Sequence, residues 1–199
     1  MTGAVKRTLE QARQAMAGHT RRTVPVEGVM KKAAVAAVLR EAAELEVLLI
    51  RRAEHERDPW SGHMAFPGGR VDQGDPTPLA AAKRETREEV ALDLDAHGRL
   101  LGELSHVPAV AHGRKLPMVI VPFVFEVGEV PAFAPDPTEV QETLWIPVSY
   151  FLDAANRESM TRTFAGVPLK LPCYHYEGRL IWGLTLKMLD ELLDLLRAP

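Results

Sequence analysis

At 199 residues the chain suits one domain with appendages, and 46% apolar against 26% charged residues argues against wholesale disorder. A formal net charge of −3 provides no overall cationic field for a nucleic-acid backbone or an anionic membrane, so neither is an expected partner. The single cysteine, Cys173, excludes an internal disulfide framework and a thiolate zinc site; with no helix N-terminus framing it, it reads as a small, half-buried hydrophobe.

The elements follow in chain order. Residues 5–17 read as a short amphipathic helix with Leu9, Ala12 and Met16 on one side. Lys6, Arg7, Glu10 and Arg13 interrupt this segment before it could act as a secretory signal. No stretch of about 18 uncharged apolar residues follows, so a cytoplasmic setting is expected. His19 to Gly28 reads as a loop broken by Pro25 and Gly28. Residues 33–39 and 45–50 are short apolar, partly β-branched runs that favour two buried strands. Residues 53–62 form a loop containing Asp58-Pro59. His63 to Phe66 is a short strand stopped by Pro67-Gly68-Gly69, and residues 70–76 are a second loop.

Thr77 caps a helix with Pro78 at its first position, running to about Ala91. Strands are expected at 100–105, 118–127 and 140–146, and Pro122 places the middle one at an edge or a bulge. Residues 105–117 between them read as a loop. Residues 148–155 suggest a short helix, and 168–181 short extended pieces around Pro172 and Gly178. The segment from Trp182 to Leu196 is a strong amphipathic helix, with Thr185, Met188, Leu189, Leu192, Leu193 and Leu196 at helical spacing. That stripe serves either the core or a homodimer contact.

The stretch from Gly68 to Leu92 is where chemistry concentrates. On a helix from Thr77, Glu85, Glu88 and Glu89 fall at i, i+3 and i+4 and share one side, while Leu79, Thr86 and Val90 form a separate core-facing stripe. Each like-charge neighbour destabilises an isolated helix by roughly 0.2–0.5 kcal/mol. Clustered carboxylates suit hard divalent cations, which take oxygen ligands. The spacing alone leaves both a solvated helix face and a metal site open.

The sequence around this helix resembles the Nudix hydrolase family, whose box reads G-x5-E-x7-R-E-U-x-E-E-x-G-U. Gly69 matches the opening glycine, Arg84-Glu85 the R-E pair, Glu88-Glu89 the E-E pair and Leu92 the closing aliphatic position. Asp75 stands for the first glutamate, with eight residues instead of seven before Arg84. Thr86 and Ala91 replace an aliphatic residue and a glycine.

The resemblance implies an α/β fold, a Nudix-type α/β/α sandwich with a mixed β-sheet and a C-terminal amphipathic helix. Residues 29–199 would form the hydrolase domain and 1–28 an appended helix and loop. It implies hydrolysis of a nucleoside diphosphate linked to a further group. Mg²⁺ or Mn²⁺ would be held by the Gly69 carbonyl, Glu85, Glu88 and Glu89, and Arg84 would hold a glutamate of that face.

An additional acid would act from a distal loop or strand, Glu139 first and Glu142 second. Arg51, Arg52 and Arg70 are candidate substrate-phosphate contacts, and His106, His112, Arg114 and Lys115 candidates for an anionic tail. Trp60, Trp145 and Trp182 read as packing residues. Arg51-Arg52-Ala53, the SGHMAFPGGRVDQGD segment and the terminal I-W-G-L-T are similar to coenzyme A diphosphatases of this superfamily, although Trp60-Ser61-Gly62 stands where those enzymes carry H-x-G. That similarity implies coenzyme A or an acyl-coenzyme A as substrate. The alternatives are ADP-ribose, a dinucleotide or a nucleotide sugar, and, in another class, a non-catalytic module that senses a nucleotide.

Overall fold

A computed structural model describes residues 6–24, 31–55, 60–111, 113–164 and 166–197. Pro25, Gly28, Asp58, Pro59 and His112, and with them the expected domain boundary at 28/29, lie outside the described residues.

The central strand β1 (Lys31–Glu41) is buried along most of its length because both its faces are covered. Ala33, Ala37 and Leu39 enter one hydrophobic cluster, and Ala34, Ala36 and Val38 enter another. Beside β1 run β2 (Leu45–Arg52) and β4 (Gly68–Arg70), and β3 (Met64–Ala65) pairs with β2. The sheet is completed by β5 (Gly98–Glu103), β6 (Val107–Ala111), β7 (Arg114–Val127) and β8 (Val140–Pro147). β1 and β7 pair in parallel and the other pairs are antiparallel, so the sheet is mixed.

The helices divide between its faces. α1 (Leu9–Ala17), α4 (Val148–Leu152) and α5 (Gly183–Arg197) bury residues in the first cluster. α2 (Pro78–Val90) and α3 (Leu94–His97) bury theirs in the second. The result is the α/β/α sandwich expected. The α5 stripe from Thr185 to Leu196 is buried within this chain, so that face is used internally. Among the described residues no helix is long and apolar enough to cross a membrane.

α1 starts at Thr8, where a reciprocal cap joins the Thr8 hydroxyl to the Gln11 N–H and the Gln11 side chain to the Thr8 N–H. Arg13 donates to Glu126 at 2.7 and 3.1 Å and locks α1 onto β7.

Four expectations change. β7 is central, not an edge. Pro122 fits there because its carbonyl accepts from Leu104 N–H in the step between β5 and β6, where a missing N–H breaks no ladder. The 105–117 segment is a hairpin of β6 and β7 with an irregular register at Pro108. The Gly68–Gly69 turn is itself a strand on β1. Gly68 has φ +146°, and a Cβ there would collide with the Ala34 carbonyl and the Val35 backbone. Finally, β9 (Glu158–Phe164) was not anticipated; it pairs with β10 (Val167–Tyr176), which pairs with β11 (Arg179–Trp182) in a separate sheet.

α2 begins as expected, with the Thr77 hydroxyl accepting from Ala80 N–H at 3.1 Å. It ends at Ala91, φ 59°, a left-handed cap where the box carries glycine. Ala91→Gly is expected to stabilise the protein by about 1 kcal/mol, because only the side chain makes that conformation costly; a denaturant titration reads it.

Candidate active site

The site forms where β4 meets α2. Ala81 and Ala82 are fully buried, and such small side chains let the helix close onto the sheet. Glu89 is thereby drawn inside, only 2% exposed, and its carboxylate accepts from Gly68 N–H at 2.8 Å. Arg52 lies 3.7 Å from its other oxygen. Burial pushes the Glu89 carboxyl up to about 8, against the pull of the Gly68 N–H and Arg52, with Glu85 and Glu139 adding to the rise.

Glu85, one turn earlier, is partly buried, and desolvation raises its pKa despite the adjacent Arg84. Gly69 lies directly against it: a Cβ on Gly69 would overlap the Glu85 carboxylate. A side chain at this position would therefore displace the Glu85 carboxylate from the cluster.

Carboxylate oxygens of Glu85, Glu89 and Glu139 lie within 4.8 Å of one another. At that range two ionised carboxylates repel by about 3–4 kcal/mol at an effective dielectric of ~20. A divalent cation with oxygen preference answers that repulsion, and the donor set fits Mg²⁺ or Mn²⁺.

Glu139 reaches the cluster through the backbone. Its carbonyl accepts from Ala53 N–H at 2.8 Å, and Asp136 N–H donates to the Glu89 carbonyl at 3.1 Å, tying the 134–139 loop to the end of α2. Glu142 does not join. It sits on β8 opposite Arg51 and is ion-paired with Arg179.

Nor does Glu88 enter the cluster: it is exposed and paired with Arg84 at 2.7 Å. The shared side expected for the three glutamates is shared in angle but not in environment. Arg84 also donates to both Asp75 oxygens at 3.0 and 2.9 Å and to the Arg70 carbonyl at 3.1 Å, and lies 3.0 Å from Glu85. Its guanidinium holds the Asp75 carboxyl below its ordinary range. Asp75 is thus the anchor of the loop before the helix.

The cluster opens into a cleft of about 1260 Å³. Arg52 and Arg70 line it, whereas Arg51 is not part of its wall and points toward Glu54 at 4.0 Å. His106 is paired with Glu103 at 2.7 Å and, like Arg114 and Lys115, lies outside the lining. Trp60 packs against the first cluster, as expected, and also lines the cleft, as does Trp182; Trp145 packs under Arg40 and beside Phe133. His63, edge-on to Trp182, also lines the cleft and was not singled out from sequence, because a lone histidine in a short strand carries no pattern.

A NUDIX domain family model matches residues 30–165. The Nudix hydrolase NudL of Yersinia pestis, itself uncharacterised, is 31% identical over 150 residues, 75% of this chain and 71% of that one. An uncharacterised Schizosaccharomyces pombe protein is 35% identical over 108 residues, 53% of this chain, which spans only 33% of that protein's length. Among solved structures, a MutT/nudix family protein of Enterococcus faecalis superposes with TM-score 0.53 at 16% identity, covering 96% of this chain and 73% of that one. A C. elegans Ap4A hydrolase does so with TM-score 0.50 at 22% identity, covering 63% and 85%. The chain belongs to the Nudix hydrolase family and is a pyrophosphohydrolase by that membership.

Proposed function

We propose that the protein hydrolyses the diphosphate linkage of a nucleoside diphosphate derivative, with coenzyme A or an acyl-coenzyme A as its substrate. The observation that carries this reading is the convergence of Glu85, Glu89 and Glu139 in the wall of a cleft that Arg52 and Arg70 also line.

Glu85, Glu89 and Glu139 would hold Mg²⁺ or Mn²⁺, with the Gly69 carbonyl and Glu88 joining by family resemblance. Bound there, the ion supplies charge neutralisation for the diphosphate oxygens and Lewis acidity toward water. Arg52 and Arg70 orient the diphosphate by charge-assisted hydrogen bonds. Arg51 belongs to the same basic pair in sequence but faces away from the cleft, so its contribution is the weakest of the three. Glu139, the exposed member of the cluster, accepts the proton of the attacking water. A new P–O bond forms to the water oxygen and the bridging P–O bond breaks. From coenzyme A the products are 3′,5′-ADP and a phosphopantetheine species. Arg84 is a positioning residue that fixes the loop and helix carrying the acids.

Residues 29–199 are the hydrolase unit in this reading, with 1–28 as its appendage, working in the cytoplasm. The departure at Trp60 from H-x-G leaves a second reading, ADP-ribose, a dinucleotide or a nucleotide sugar as substrate.

A panel of coenzyme A, ADP-ribose, a dinucleotide and a nucleotide sugar with Mg²⁺, run in ¹⁸O water, tests both. The highest kcat/KM is expected on coenzyme A, with mass spectrometry locating the label. Preference for ADP-ribose would install the second reading. Binding without turnover across the panel would make the protein a nucleotide sensor.

A further inference from the structure

The segment Val167-Pro168-Leu169-Lys170-Leu171-Pro172-Cys173 alternates apolar residues with proline or lysine, which puts Val167, Leu169, Leu171 and Cys173 on one face of β10. Phe164, Arg162 and Met160 of β9 stand directly opposite Val167, Leu169 and Leu171 and share that face. A strand face of this kind ordinarily packs along its whole length. Here burial fades toward the hairpin tip: Cys173 is fully buried, Leu171 partly, while Leu169 is 45% and Val167 56% exposed.

The open half of this face is a wall of the cleft. Phe164, Leu169 and Leu171 line it together with Leu116, Leu184 and Trp182. Arg162, the cation on that face, lies over the Trp182 ring at 4.9 Å. The tip of the β6–β7 hairpin closes in from the other side, so tightly that a Cβ on Gly113 would come within 2.9 Å of Phe164.

Two further facts bear on what this wall receives. At about 1260 Å³ the cleft exceeds the roughly 300–1,000 Å³ of an ordinary ligand pocket, which leaves room beyond a nucleotide and its diphosphate. The family match ends at residue 165, so β10, β11 and α5 lie beyond it, and the wall joins β9 of the matched unit to strands outside it.

We infer that the β9–β10 wall seats an apolar acyl chain carried by the non-nucleotide arm of the substrate. This makes the enzyme selective for long-chain acyl thioesters over free coenzyme A and compact polar diphosphates. The inference rests on the hydrolase reading above and names the part of the substrate that this wall recognises. Its physical basis is continuity: the charged groups that would bind the diphosphate and the partly uncovered apolar face line the same cavity.

Steady-state kinetics on acetyl-, butanoyl-, octanoyl- and lauroyl-coenzyme A, with ADP-ribose alongside, provide the test. Full burial of a methylene is worth roughly fourfold in affinity. Part of the wall stays open to water, so kcat/KM is expected to rise at least about tenfold from acetyl to octanoyl, through KM and not kcat. In Leu169→Asp the octanoyl-to-acetyl ratio should collapse toward one. In a Leu169→Ala, Leu171→Ala double variant, which adds no charge, it should fall by a smaller factor. Thermal melts of both variants confirm folding. A flat series, or a ratio that survives in both variants, overturns the acyl wall while leaving coenzyme A hydrolysis in place. Turnover of ADP-ribose with none of any coenzyme A compound overturns both this inference and the substrate reading beneath it.

Discussion

Replacing Glu89 with glutamine is expected to lower kcat by about two orders of magnitude or more, in the range set by removal of a key charge-stabilising group. The same substitution should make the metal-free protein more stable at alkaline pH. The two effects share one cause. Glu89 is buried, and its carboxyl titrates near 8 in the folded protein, while an unfolded chain releases that proton near 4.5.

Between those values the folded state holds a proton that the unfolded state has lost. The stability associated with Glu89 is therefore complete below about pH 4.5 and lost as the pH rises through about 8. Glutamine does not ionise and retains an oxygen that can accept from Gly68 N–H. Melting curves of metal-free protein should coincide near pH 5 and separate by pH 9, with the variant higher.

Mn²⁺ reverses the order, because it binds the ionised form. In the parent, Mn²⁺ affinity should rise by up to about tenfold per pH unit toward pH 8, with release of up to about one proton. Calorimetry in buffers of different ionisation enthalpy reads that proton. Identical melts at pH 9 together with unchanged turnover would remove Glu89 from the site.

The second large effect is expected at Arg84. Its guanidinium bonds both oxygens of Asp75, the Arg70 carbonyl and Glu88, and approaches Glu85 at 3.0 Å. A lysine carries the charge but not the planar fork, so it can satisfy only part of this set. Arg84→Lys should cost about 2 kcal/mol in a urea titration and at least about tenfold in kcat/KM, since Asp75 and Glu85 both lose their fixed partner. A double-mutant cycle with Asp75→Asn isolates the pair, with a coupling of about 1–3 kcal/mol expected. Arg84 lowers the Asp75 pKa, so that coupling is present above the unfolded carboxyl's value near 3.8 and disappears as the pH falls through the folded one. A coupling near zero at pH 7 would mean that the loop is anchored by its backbone alone.

The Asp75 result bears on how the box is read. Its glutamate is replaced by a residue one methylene shorter, and the spacing to Arg84 is one residue longer. The structure relates the two changes: Asp75 sits in a turn with Asp72, each residue's N–H bonded within the turn, and still meets Arg84 with both oxygens. A departure in sequence is thus compatible with the same ion pair.

The features legible in the chain before folding are local. The helix from Pro78, its Thr77 cap, the angular placement of Glu85 and Glu89, and the α5 stripe follow from residues within four positions of one another. Propensity and periodicity act over that range. The two-sided burial of β1 was also readable as an uninterrupted apolar run.

Tertiary structure alone decided which acids meet. Glu88 and Glu89 are neighbours in the chain, yet one is exposed on Arg84 and the other is enclosed against Gly68, because only one side of α2 packs on the sheet. Glu139 and Glu142 look alike in sequence, but a backbone bond from Ala53 brings the first to the cluster while strand pairing sends the second to Arg179. Pro122 lies mid-sheet for a related reason: the chain steps from β5 to β6 beside it. The cleft's apolar wall likewise comes from strands that pair far from the box. Such contacts join segments distant in the chain, and no local pattern encodes which partner a strand edge or a helix face will find.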